Sequence, residues 1–88
     1  MSTLTPARKK HAAQVAAIKR SVNVDGHRTS LSLENEFWEG LHYIADLKQE
    51  SLAKLVERID AERRHTNLSS AIRIFVFNHF RGRAGLKR

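Results

Sequence analysis

The sequence predicts a mainly α protein in which one short strand precedes three helices, with the strand paired to its own copy in an intertwined homodimer. Three observations predict this. The run from His27 to Leu33 alternates polar and apolar residues with period two, whereas the apolar residues from Phe37 to Phe80 recur at helical spacing in three blocks. A chain of 88 residues with no cysteine has neither the length nor the disulfides to stabilise a large core alone. Its 41% hydrophobic residues suffice for a small core, so the missing stability is assigned to oligomerisation.

Residues 1–20 read as a flexible basic arm. Pro6 and the triplet Arg8, Lys9, Lys10 precede an Ala-rich stretch (Ala12, Ala13, Val15, Ala16, Ala17, Ile18) that offers too little apolar area to fold by itself. Residues 21–81 read as the folded domain. Asp25-Gly26 is a turn signal ahead of the alternating run, in which Thr29, Leu31 and Leu33 share one face and Arg28, Ser30 and Ser32 the other. A first helix carries Phe37, Leu41, Ile44 and Ala45 on its stripe with Trp38 and Leu47 at the edges. Glu34, Glu36 and Glu39 near its start and Lys48 near its end suit the helix dipole. Trp38 is placed in the core or at its rim, and because it lies off the central stripe beside Phe37 its place fits a partly exposed ring at the dimer edge. The short Gln49-Glu50 turn folds a second helix back, with Ser51 as N-cap and Leu52, Leu55, Val56 and Ile59 as its stripe. A third helix, about residues 68–81 and capped by Asn67 or Ser69, has Ala71, Ile72, Phe75, Val76 and Phe80 on one side and Ile74 and Phe77 on another. Two apolar sides imply two buried contacts. Residues 82–88 form a basic tail.

No second convincing strand is evident, and a lone strand leaves unpaired backbone groups on both edges, which is what assigns its pairing to a second copy. The dimer core is then Leu31, Leu33, Phe37, Leu41, Ile44, Leu52, Leu55, Val56 and Ile59. Arg28, Ser30 and Ser32 of both copies face solvent on a ribbon of the width that enters the DNA major groove.

Charge supports a polyanionic partner. The formal net charge is +7, with an isoelectric point near 10.6. Up to Leu33 six bases stand against Asp25 alone. From Glu34 to Thr66 eight acids outnumber five bases, and from Asn67 onward five bases meet no acid. The ends are therefore basic and the middle is not. Arg28 is the expected base reader with Ser30 and Ser32 beside it, while Arg8, Lys9, Lys10, Lys19 and Arg20 are expected to meet phosphates.

The segments K-R-S-V (Lys19 to Val22), G-H-R-T-S-L-S-L-E (Gly26 to Glu34) and L-S-S-A-I-R (Leu68 to Arg73) resemble those of a subgroup of short bacterial proteins with an extra C-terminal helix. That subgroup lies within the ribbon-helix-helix family (Arc/MetJ/CopG type), and the resemblance to the family covers about Gly26 to Glu62. It implies base contacts at Arg28, Ser30 and Ser32 and a phosphate clamp at Ser51, Leu52 and Ala53, acting largely through backbone N–H groups at a helix N-terminus. Many members have a Gly in the turn where this chain has Gln49-Glu50, and the family core stops after the second helix.

Other chemistries find little support. His11, His27, His42, His65 and His79 are scattered without the i, i+3 or i, i+4 spacing of a ligand pair, so no metal and no cofactor are expected. No nucleophile motif, Gly-rich phosphate loop or H-E-x-x-H is present, so no enzyme is expected. Residues 1–20 lack the apolar middle of a secretory signal and no apolar run reaches membrane length, so the expected location is the cytoplasm, with the nucleoid. The expected function is a sequence-specific repressor or autoregulator on double-stranded DNA, as a homodimer or a tetramer or higher on DNA. The alternative is an antitoxin-like or adaptor protein whose third helix holds a protein partner through Ile74 and Phe77.

Overall fold

The computed structural model describes residues 16–84. Strands β1 (Ala17–Val24) and β2 (His27–Glu34) form an antiparallel hairpin, followed by helices α1 (Asn35–Leu47), α2 (Leu52–Glu62) and α3 (Leu68–Arg83). The hairpin loop is the two residues Asp25 and Gly26, with φ of 55° and 83°. Positive φ at both positions defines a type I′ turn, whose twist matches that of the flanking strands.

The order of ribbon and two helices with an added third helix is as expected, and the pairing of the strand corrects the sequence reading. The strand's partner is residues 17–24 of the same chain, in register from Ala17 opposite Glu34 to Val24 opposite His27. The boundary drawn between residues 20 and 21 therefore falls inside β1, and Lys19 and Arg20 belong to the ribbon instead of an arm. The remainder of the arm, Arg8, Lys9 and Lys10 included, lies outside the described residues.

The physical reason β1 escaped notice is Arg20. Residues directly opposite each other in an antiparallel pair share a face, so Ile18, Arg20, Val22 and Val24 join Thr29, Leu31 and Leu33 on the inward side. A charge at the second of those positions interrupts the apolar alternation. It is accommodated because the Arg20 guanidinium lies over the Trp38 ring, 5.3 Å from its centroid.

Of the two places expected for Trp38, core or exposed rim, the structure takes the core: the residue is 1% exposed, and its indole N–H donates to the Ile18 carbonyl at 2.9 Å. The indole thus packs its ring into the core and uses its one donor to tie β1 to α1.

The core forms within one chain. Val22, Val24, Leu31, Leu33, Trp38, Leu41, Ile44, Leu55, Val56 and Ile59 are buried together with Ile72 and Val76 of α3, while Phe37 and Leu52 are half-buried against them. Residues expected at a shared dimer core are thus covered by β1 and α3 of their own chain. Gly40 permits the close approach of α3 to α1: a Cβ there would lie 2.8 Å from Val76 Cγ1. Ser51 Oγ accepts from the Lys54 N–H at 3.0 Å and Asn67 Oδ1 from the Ser70 N–H at 2.8 Å, so both expected N-caps are in place. At the end of α1 the Glu50 N–H donates to the Ala45 carbonyl and the Gln49 N–H to that of Asp46. This is a Schellman closure with Gln49 at φ 56°, in the left-handed position that suits glycine.

Candidate nucleic-acid interface

The pleat that sends Val22, Val24, Leu31 and Leu33 inward sends the alternate residues of both strands outward. The register pairs Lys19 with Ser32, Ser21 with Ser30 and Asn23 with Arg28 on that face. All are exposed except the half-buried Ser32. These three rows hold two cations, three hydroxyls and an amide, and no acid. Glu34, which shares its parity at the far end opposite Ala17, is held by Arg73 through Nε–Oε1 at 2.8 Å. That guanidinium keeps the Glu34 carboxyl below the usual carboxylate range, and its Nη2 also donates to the Ser32 carbonyl at 3.3 Å. The acid nearest the hydroxyl rows is thereby neutralised and turned to a structural use.

The structure brings Arg28, Ser30 and Ser32 together as expected and adds three residues from β1. Two of these, Ser21 and Asn23, carry no expected role, and Lys19 moves from the arm to the ribbon face. Asn23 is the more informative, because Asn and Arg are the side chains with bidentate geometry for adenine and guanine, and here they form one cross-strand pair beside the turn. The signal for them is Asp-Gly flanked by Val22-Asn23-Val24 on one side and the alternating run on the other. Arg20, expected at a phosphate, is exposed but engaged on the inward side with Trp38.

The hairpin tip is held from below: the Asp25 N–H donates to the Glu57 carboxylate of α2 at 3.0 Å. At the α2 N-terminus, Ser51 Oγ and the Ser51 carbonyl take the N–H groups of Lys54 and Leu55, leaving those of Leu52 and Ala53 without helical acceptors. Glu50, next to this start, forms a two-point ion pair with Arg58 at 2.8 and 2.6 Å. The contact lowers the Glu50 carboxyl pKa and raises that of the Arg58 guanidinium. The backbone donors, Lys54 and a compensated carboxylate make this helix start receptive to an anion.

Among the described residues no three His, Cys, Asp or Glu side chains converge as a metal would require, and no helix is long and apolar enough to cross a membrane. Among the described residues His79 is the one histidine set into the fold. Burial first, then Arg83 and Lys48, lowers its pKa, and its ring stands edge-on to Phe80 at 4.9 Å.

A two-stranded ribbon whose outer face carries six polar side chains and one ion-paired acid, braced on helices, is the arrangement of a DNA-binding protein of the ribbon type. Residues 17–80 match the family model of the ribbon-helix-helix domain. The chain belongs to that family, whose members bind DNA, regulate transcription and typically dimerise through a fold without enzymatic activity. Comparisons with curated proteins and with solved structures gave no match.

Proposed function

We propose that the protein is a sequence-specific repressor or autoregulator that acts in the cytoplasm on double-stranded DNA as a homodimer, each chain presenting its own ribbon to the major groove. One observation carries the reading: the outward face of the ribbon holds Lys19, Ser21, Asn23, Arg28, Ser30 and Ser32, and the fold makes no demand on it. Two strands about 4.8 Å apart, with three readable rows along them, suit a groove about 12 Å wide. Arg28 and Asn23 are the discriminating pair, the three serines make shorter contacts, and Lys19 meets a phosphate. Ser51, Leu52 and Ala53 with Lys54 hold the backbone alongside, and Arg8, Lys9 and Lys10 add affinity insensitive to sequence.

The test begins by selecting bound fragments from random DNA with the purified protein. On the selected site Arg28→Ala is expected to lose about 1 to 3 kcal/mol and to relax one base position. Lys19→Ala is expected to weaken all sequences alike and to reduce the salt slope by about one. Equal losses on selected and random DNA for Arg28→Ala would remove the base-reading role. The adaptor reading draws on the exposure of Ile74 and Phe77.

A further inference from the structure

Two side chains from different helices hold the ribbon, one at each end. At the tip, Glu57 of α2 accepts the Asp25 N–H at 3.0 Å, next to the row of Asn23 and Arg28. At the base, Arg73 of α3 reaches back 39 residues to Glu34, with Nε–Oε1 at 2.8 Å and Nη2–Oε2 at 3.3 Å. The same Nη2 donates to the Ser32 carbonyl at 3.3 Å, in the row of Ser32 and Lys19. A hairpin of two strands is marginal by itself, so its tilt over the helices depends on such holds.

The use made of Glu34 is informative. It is the last residue of β2 and the N-cap of α1, where the helix dipole favours a carboxylate, yet its side chain makes no cap hydrogen bond. The carboxylate goes to α3 instead, so the joint between ribbon and α1 is fixed from a third element. At the other end, α2 carries both Glu57 and, at its start, the proposed phosphate site at Ser51. Six residues of helix separate the two, about 9 Å of rise. A rigid helix thereby spaces the hairpin tip from the phosphate site while α3 sets the angle of the base. Glu34 and Glu57 are also acids close to a surface proposed to meet a polyanion. Electrostatics alone disfavours them there, and a hold on the ribbon offsets that cost.

We infer that Glu57 and the Glu34–Arg73 pair are positioning residues for base reading: without touching DNA, they set the ribbon's tilt against the α2 start so that base readers and phosphate site engage one duplex together. α3 thus takes part in discrimination with no residue of its own in the three rows. The inference rests on the proposed base reading.

The test compares affinity for the selected site and for random DNA at one salt concentration. Glu34→Gln raises the net charge and Arg73→Gln lowers it, so charge alone predicts opposite shifts. The tether predicts one outcome from both: the ratio of the two affinities falls about tenfold, and the double variant loses no more than either single. The salt slope on random DNA is expected to stay as in wild type, because no phosphate contact is removed. Glu57→Ala is expected to lower the ratio as well. With the paired side chains 33% and 29% exposed, the pair contributes little to stability, and the melts of its variants should stay close to wild type. Amide hydrogen exchange of the free protein gives a reading without DNA. Glu34→Gln and Arg73→Gln should speed exchange at Ile18 and Leu33 at the base, and Glu57→Ala at Val24 and His27 at the tip. Shifts that follow charge, additive losses in the double variant, or exchange that quickens equally at both ends overturn the inference. A wild-type protein that does not discriminate removes the base reading and the inference together, whereas a discriminating wild type with variants of unchanged ratio removes the inference alone.

Discussion

The two faces of the ribbon are built from the same two strands and answer to different demands. Inward, Leu33 is fully buried, Leu31 and Val24 nearly so, and the exposed Arg20 lays its guanidinium over the Trp38 ring. Outward, six polar side chains have no role in the fold. Inward residues are thus constrained by packing, and outward residues are free to be chosen by a partner. In a fold this small the separation of folding from recognition is achieved by the period of two in the strand, with no added element.

The largest effect tests that separation directly. Leu31→Asp places an unpaired charge among apolar neighbours and is expected to cost about 3 to 5 kcal/mol, seen as loss of the cooperative melt. Ser30→Asp, one residue away on the other face, is expected to change stability by no more than about 0.5 kcal/mol while abolishing DNA retention, since the new carboxylate faces phosphates. Comparable melting temperatures for the two variants would break the contrast between the faces.

The inward side is further sharpened by Gly40. α3 closes under the ribbon only if it can approach α1, and a methyl at Gly40 would sit 2.8 Å from Val76 Cγ1 and 3.2 Å from Phe80 Cε2. Overpacking of about 1 to 3 kcal/mol against a helix-propensity gain of about 1 leaves a net loss of up to about 2 kcal/mol for Gly40→Ala in urea unfolding. A stabilised Gly40→Ala would mean that α3 is not pressed against α1 as described.

The helices, their caps and the apolar strand positions were legible in the sequence because periodicity and capping are local. Ser51 and Asn67 act where their residue types place them, and Ile74 and Phe77 stay outside the packed stripe. β1 was not legible, because Arg20 breaks an alternation whose compensation, the Trp38 ring, is 18 residues downstream. The same distance hid the burial of Trp38 and left Ser21 and Asn23 without a role. The two turns show the same limit. Asp25-Gly26 announces its geometry, whereas Gln49 adopts φ 56° with a side chain that gives no hint of it, held by the backbone bonds of the closure. Relief of that strain in Gln49→Gly is expected to stabilise the protein by about 1 kcal/mol. Gly26→Ala at φ 83° should move the melt the opposite way, and a ribbon loosened at its tip should weaken DNA binding alongside.

The smallest expected effect concerns the border between the faces, where Arg73 reaches from α3 to the Glu34 carboxylate and the Ser32 carbonyl. The Glu34 carboxyl is lowered in the folded protein, chiefly by its hydrogen bonds from Arg73. Above the ordinary glutamate value both folded and unfolded chains carry the carboxylate, and the stabilisation is fully present. As the pH falls through that value toward the lower folded one, the unfolded chain takes up a proton that the folded chain refuses, and the stabilisation is lost. Arg73→Gln should therefore flatten the acid limb of the stability curve relative to wild type. Glu50 with Arg58 titrates in the same direction in both proteins, so the difference between the two curves isolates Glu34. Because the pair is solvent-accessible, added salt should shrink the difference. Two curves of identical shape, merely offset, would show that Arg73 braces the ribbon by packing alone and that the border carries no charge-dependent link.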